Sequence, residues 1–184
     1  MSDAGHSEPE RRVADDHDHP EVATLRTAIV TVSSSRSSAD DEGGDAIAAI
    51  LDDHGHEAVA RDLVVDDRGA IERVVSEFVE RGDVDCVITT GGTGVTRDDV
   101  TIEAVRGLFE KALPGFGELF RTLSYEEVGT RTVATRATAG IAEGVPVFCL
   151  PGSTNAVSLA TDEIIVEEAP HLAGLATRHD HEVA

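Results

Sequence analysis

The chain has 184 residues, 40% hydrophobic but only 3% aromatic, which suits one α/β domain with a core of Val, Ile, Leu and Ala. Its 36 acidic residues outweigh 15 basic ones, and a net charge of −21 excludes nucleic acid, whose binding rests on phosphate neutralisation by Lys and Arg. No apolar run approaches the roughly 20 residues of a membrane span, and the polar start lacks a signal-peptide pattern, so a cytoplasmic protein without membrane partners is expected.

Lys111 is the only lysine. Excess surface carboxylate, with arginine in place of lysine, is expected of a protein kept soluble at high salt, where concentrated cations screen the repulsion. A halophilic archaeon is the expected source.

Residues 1–23 carry Glu8, Glu10, Asp15, Asp16 and Asp18 with almost no apolar content and read as a disordered acidic tail. Residues 24–177 then form a single domain, and 178–184 a second tail. His17-Asp18-His19 and His179-Asp180-His181 read as solvated termini rather than metal sites.

From 27–32, a β-branched run, strands and helices alternate. Residues 44–53 give a helix with Ile47, Ile50 and Leu51 inward, stopped at Asp53-His54-Gly55. A more polar strand follows at 58–65. Ile71, Val74, Val75, Phe78 and Val79 then show the spacing of an amphipathic helix, ended by Gly82. After the strand 86–90, Ile102, Val105, Leu108 and Phe109 mark a helix closed before Pro114-Gly115. Phe116, Leu119, Phe120 and Leu123 mark another, its apolar stripe suited to an oligomer contact or to the chain's own core. Residues 129–144 are ambiguous between helix and strand. The strand 145–150 breaks at Pro151-Gly152, and a last helix runs from about Asn155 toward Pro170. This alternation predicts a three-layer, doubly wound, mostly parallel sheet with helices on both faces. Cys86 and Cys149 lie in β-like runs without CxxC spacing and read as buried structural thiols.

Ligands of such sheets sit beyond the carboxyl ends of the strands. Four strand-end loops qualify: 33–44, Asp66-Asp67, 91–99 and Pro151-Gly152-Ser153. The third is the most informative. Gly91-Gly92-Thr93-Gly94 lets backbone approach a ligand without an intervening Cβ, and the helix after it presents unpaired N–H groups to an anion. Asp98 and Asp99 would repel a bare phosphate, so their presence implies a bridging divalent cation. Together these features read as a nucleotide-phosphate and magnesium site. Singly, the glycines form a tight turn, Asp99 or Thr101 a helix N-cap, and Asp66 a solvated turn acid. The loop is neither a Walker A motif nor GxGxxG.

The stretches Thr89-Thr90-Gly91-Gly92-Thr93-Gly94, Arg97-Asp98-Asp99-Val100-Thr101 with Glu103-Ala104, Pro114-Gly115-Phe116-Gly117-Glu118, Leu123-Ser124 to Gly129-Thr130 and Pro151-Gly152-Ser153-Thr154 resemble the MoaB/Mog family of molybdenum-cofactor biosynthesis proteins, and its MoaB branch more than Mog. The resemblance spans roughly 26–170. It implies a molybdopterin adenylyltransferase, which transfers AMP from ATP to the terminal phosphate of molybdopterin with Mg²⁺ and releases pyrophosphate. By position, Asp66 and Asp99 match the family's functional aspartates and are the expected catalytic and metal-binding pair. Gly91, Gly92, Thr93, Gly94 and Thr101 match its ligand loop, and Pro151, Gly152 and Ser153 its pterin-side loop. Ser34 stands where the family usually has Asp, leaving its role open, and Asp98 replaces a basic residue. Arg97 and Arg136 are the cations expected near the site. A homotrimer or homohexamer is implied as well. The alternative reading is a carrier or scaffold that holds molybdopterin without adenylating it.

Overall fold

Strand β1 (Arg26–Val32) is buried along nearly its whole length, as a strand covered on both faces must be. The computed structural model describes residues 21–34 and 41–176. Of the expected tail 1–23 only 21–23 are described, and there Val22 packs on the core and its N–H donates to Pro170 O at 3.2 Å, so the ordered domain begins before residue 24. Residues 1–20, 35–40 of the first strand-end loop and 177–184, with both His-Asp-His triplets and the expected tail 178–184, lie outside the described residues. Six strands form one sheet in the order β2-β1-β3-β6-β5-β4. β2 (Glu57–Val64), β3 (Cys86–Thr90) and β6 (Val145–Leu150) run parallel to β1. β5 (Thr138–Ala142) and β4 (Lys111–Ala112) extend the sheet through antiparallel pairings.

Helices α1 (Glu42–Asp53), α4 (Pro114–Val128), α5 (Thr154–Ala160) and α6 (Val166–Ala176) cover one face, and α2 (Arg68–Val79) and α3 (Thr101–Val105) the other. Alternate strand residues feed the two cores: Ile29, Ile88, Phe148 and Leu150 join the first, Val30, Val87, Val147 and Cys149 the second. This is the expected three-layer α/β fold. The polar character of β2 has a simple cause, because it is an edge strand whose exposed Glu57, Arg61 and Asp62 discourage further pairing. Asp41 caps α1 by accepting from Gly44 N at 3.0 Å, and it also accepts from the Thr31 hydroxyl and from Arg61, each at 2.9 Å. Burial pushes its carboxyl up, but these donors outweigh burial and hold it below the usual range.

Two elements differ from the sequence expectation, and one left open is resolved. The helix expected through Phe109 stops at Val105, followed by a 3₁₀ turn, Arg106–Leu108, and then β4. The Phe109 ring packs on the bare backbone of Gly140, 2.4 Å from where a Cβ there would lie, so its partner is the sheet and the chain leaves the helix to reach it. The ambiguous segment divides into a 3₁₀ helix, Gly129–Ala134, and β5, which turns into β6 through Glu143 and Gly144 at φ 48° and 73°. The last helix does not end at Pro170. It passes through one π turn, Thr161–Ile165, into α6 and on to Ala176.

Pro170 has no N–H, so the Val166 carbonyl one turn earlier loses its helical donor. His56 Nε2 reaches that oxygen at 3.4 Å, while Nδ1 accepts the Leu25 N–H at 3.2 Å. One imidazole thus serves two buried backbone groups from opposite ends of the chain. His56→Ala should lower unfolding free energy by about 2 kcal/mol or more in chemical denaturation, because both groups lose their partner without access to water.

The stripe on α4 is mostly internal. Phe116 and Phe120 are buried, with the Phe116 ring edge-on to Phe148 at 5.2 Å, and Leu123 packs on the same core; only Leu119 is exposed. Cys86 and Cys149 are buried free thiols, as expected, and burial raises both, Cys149 to about 12, which keeps them unreactive. Among the described residues no helix is long and apolar enough to cross a membrane.

Candidate functional site

Hydrogen bonds past the strand ends tie β1 to β2 and β3 to β6. Ser33 N donates to Val64 O at 2.9 Å, Gly91 N to Leu150 O at 3.1 Å, and the Thr90 hydroxyl to Pro151 O at 3.1 Å. The glycine loop is seated between them by positions only glycine tolerates. Gly91 has φ +100°, and a Cβ on it would lie 2.2 Å from Val32 O; Gly92 has φ +62°, with Thr101 Oγ1 2.3 Å and Asp66 Oδ1 3.3 Å from the same point.

Of the neighbouring acids after β2, Asp67 caps α2 through Ala70 N at 2.9 Å. Asp66 is thereby left on the β2 side of Gly92. Its Oδ2 accepts from the Ser34 hydroxyl at 2.7 Å, and its own N–H donates back to Ser34 Oγ at 3.3 Å. Ser34, whose role the sequence left open, aims Asp66.

Asp99 flanks the other side of the loop, its carboxylate oxygens 2.8 and 3.1 Å from where a Cβ on Gly94 would sit. Oδ2 accepts from the Thr96 hydroxyl at 2.6 Å and from Thr96 N at 2.8 Å. The Thr96 hydroxyl does most to hold this carboxyl below its usual range; desolvation opposes it, and the Thr96 and Gly94 N–H groups and Arg136 assist. Asp99 is not a helix N-cap, since that position of α3 is Val100. With only five residues, α3 has little dipole to offer an anion, so the expected helix-end contribution is not present.

Thr101, expected to touch ligand, is fully buried and donates its hydroxyl to Gly91 O at 2.8 Å; it supports the loop from beneath. Arg136 is also behind the loop. Its Nε donates to Gly94 O at 2.7 Å, Nη2 to Asp99 O at 2.9 Å, and the guanidinium pairs with Glu103. Arg97 is exposed, as is Asp98, and neither lines the pocket.

The pocket beside the loop has a volume of about 490 Å³. One wall is Gly91, Gly92, Thr93, Gly94 and Asp99 with Pro151, Gly152 and Ser153, so two of the expected strand-end loops share it. Asp66 stands outside that lining, across Gly92. The opposite wall comes from α4 and the following turn: Ser124, Glu127, Val128, Arg131, Thr132 and Thr135. Sequence reading missed this wall, including Arg131, the pocket's one cation among the described residues. The Thr135 hydroxyl there is buried and has no hydrogen-bond partner among the described residues. Asn155 and Leu159 of α5 complete the enclosure. The Ser153 hydroxyl, at the N-cap of α5, makes no capping bond.

Among the described residues no group of three or more His, Cys, Asp or Glu side chains converges. Two aimed hard-oxygen donors beside the glycine loop would suit magnesium, which keeps several waters and binds through one or two carboxylates plus substrate phosphates. They do not fit zinc, which takes three or four nitrogen or sulfur ligands.

Residues 28–171 match the family model described as a probable molybdopterin binding domain. The chain is 45% identical over 152 residues to molybdenum cofactor biosynthesis protein B of Staphylococcus aureus, covering 81% of this chain and 90% of that protein. A crystal structure of molybdenum cofactor biosynthesis protein B matches with a TM-score of 0.83 and 39% identity, over 85% of this chain and 98% of the other. The tungsten cofactor synthesizing protein MoaB of Pyrococcus furiosus matches with a TM-score of 0.75 and 43% identity, over 84% and 98%.

Proposed function

The chain belongs to the MoaB/Mog family of molybdenum-cofactor biosynthesis proteins, and on that basis we propose that it is a molybdopterin adenylyltransferase. One observation carries this reading beyond molybdopterin binding. Two carboxylates, one aimed by Ser34 and the other by Thr96, flank a single glycine loop beside a pocket whose far wall carries Arg131. A carrier for the pterin alone has no need of paired acids at a phosphate loop.

In the proposed reaction a terminal phosphate oxygen of molybdopterin attacks the α-phosphorus of ATP in line, and the bond to the β-phosphate oxygen breaks to release pyrophosphate. Both reactants are already anionic, so the protein needs no strong general base; alignment and charge neutralisation supply the catalysis. Asp66 and Asp99 would hold magnesium, which neutralises triphosphate charge when bound. The bare glycine backbone lets phosphates lie against the sheet end. Arg131 opposes their charge from α4's side of the pocket, and Ser153, whose hydroxyl makes no capping bond, offers it to the pterin. Incubation of the pure protein with ATP, MgCl₂ and molybdopterin at molar KCl should incorporate AMP into the pterin. Tight molybdopterin binding with no AMP transfer would establish the carrier instead.

We propose further that the reaction runs in the cytoplasm of a halophile, where its salt response follows from charge. At about 0.1 M salt the Debye length is roughly 10 Å, so the surface carboxylates still repel one another; at molar salt it is about 3 Å. Melting midpoints should therefore rise with KCl, and the KM for ATP should fall as the long-range barrier to a polyanion is screened. Equal stability and KM in dilute buffer would defeat the halophilic assignment while leaving the reaction intact.

The proposed assembly is a homotrimer or a homohexamer. What supports it is the set of large apolar residues exposed on α4 and the next turn, Leu119, Tyr125, Val128 and Val133, while the rest of the α4 stripe faces the chain's own core. Light scattering at high salt should give a multiple of the 19.4 kDa chain, and a mass of one chain would end the idea.

A further inference from the structure

We infer that Arg136 is a positioning residue that staples the 94–99 segment closed, rather than a source of positive charge for the phosphates; this rests on the adenylyl-transfer reading above. Its guanidinium spans the segment, bonding Gly94 O where the chain enters and Asp99 O where it leaves. The residue bearing one carboxylate is thus tied to the end of the glycine loop.

The other face of the guanidinium is equally committed. Glu103, one turn into the helical region, pairs with Nη1, and its second oxygen is 3.4 Å from Nη2. Nε also lies 3.4 Å from Thr93 O. The planar fork is therefore occupied by carbonyls and a carboxylate that cancels its charge. It also sits behind the loop, outside the residues lining the pocket. In a chain of net −21, a cation recruited for phosphates would face the pocket, as Arg131 does.

Thr96 and Arg136 divide the task. Thr96 fixes the Asp99 carboxylate from within the segment, while Arg136 fixes the Asp99 backbone from β5's approach. A lysine cannot replace this contact, because an ammonium lacks the rigid fork that meets two carbonyls and a carboxylate at once. Charge and geometry are therefore separable by one substitution.

The test compares wild type with Arg136→Lys and Glu103→Gln. Backbone amide exchange across 93–99 is measured in the free protein, and kcat, KM for ATP and half-saturating Mg²⁺ in the transfer assay. Arg136→Lys should exchange faster in that segment alone, need more Mg²⁺ and lose about a hundredfold in kcat, the scale of an ångström-sized misplacement. Its KM for ATP should change little. Glu103→Gln leaves the carbonyl bonds in place and should act in the same direction more weakly. Wild-type exchange and magnesium response in Arg136→Lys would overturn the proposal. So would a lowered KM for ATP in Glu103→Gln, the mark of an arginine freed to bind phosphate. Should the wild type transfer no AMP, the reaction assignment fails, while amide exchange still decides whether the staple exists.

Discussion

Asp99→Asn should reduce adenylyl transfer at least about a hundredfold, the scale of losing one key electrostatic group, with the fold left intact. Asparagine keeps the size of the side chain and an oxygen able to accept from Thr96, and it is as favourable as aspartate in such turns. It removes the charge a magnesium ion would meet. Because Asp99 closes the 96–99 turn and does not cap α3, helix stability is not at stake in the comparison. Parallel measurement of AMP transfer and the thermal midpoint checks both halves. Near wild-type turnover would reduce Asp99 to a turn-closing residue.

Gly91→Ala should cost about 3 kcal/mol or more, combining left-handed backbone strain with overpacking. The methyl would meet Val32 O at 2.2 Å, and backbone cannot yield there as a flexible side chain does. Shifting Gly91 also disturbs its bond to Leu150 O and its support by the Thr101 hydroxyl, so ATP binding should fall together with stability. At this chain length the midpoint should drop by about 6–12 °C. Gly82→Ala is the control: nothing lies within 4 Å of the new methyl, and a near-neutral effect is expected. Equal melting curves for the two variants would contradict the tight seating of the loop.

The sheet was legible because continuous β-branched and apolar runs mark β1, β3 and β6, and period-3.6 apolar spacing marks α1 and α2. Where one bulky residue chose between two surfaces, the pattern misled. Phe109 keeps helical spacing from Ile102 and Val105 yet packs on Gly140, a contact set by the fold and invisible locally. Pro170 reads as a helix stop, but His56, over a hundred residues earlier, supplies the donor that the proline removes. In the site, convergence of strand ends in a doubly wound sheet pointed to the loops 66–67 and 91–99, and the family resemblance singled out Asp66 and Asp99 within them. Arg136 was expected near the site as a cation, but the supporting roles of Ser34, Thr96 and Arg136 were not legible. Ser34, Thr96 and Arg136 carry no motif of their own, and only tertiary placement shows that Arg136 faces loop carbonyls and not the pocket. Arg131 sat in the stretch left ambiguous between helix and strand.

The strand order has a kinetic side. β3 is buried and apolar, and its neighbour on one edge is β6, which lies some sixty residues later in the chain. While the protein is being made, that edge of β3 stays open until the β5–β6 hairpin emerges, folded by its tight Glu143-Gly144 turn, and inserts. An open apolar edge is a template for the wrong chain. In dilute buffer the dense negative charge, borne mostly by segments made earlier, gives nascent copies a mutual repulsion during that interval, a guard that molar salt screens away.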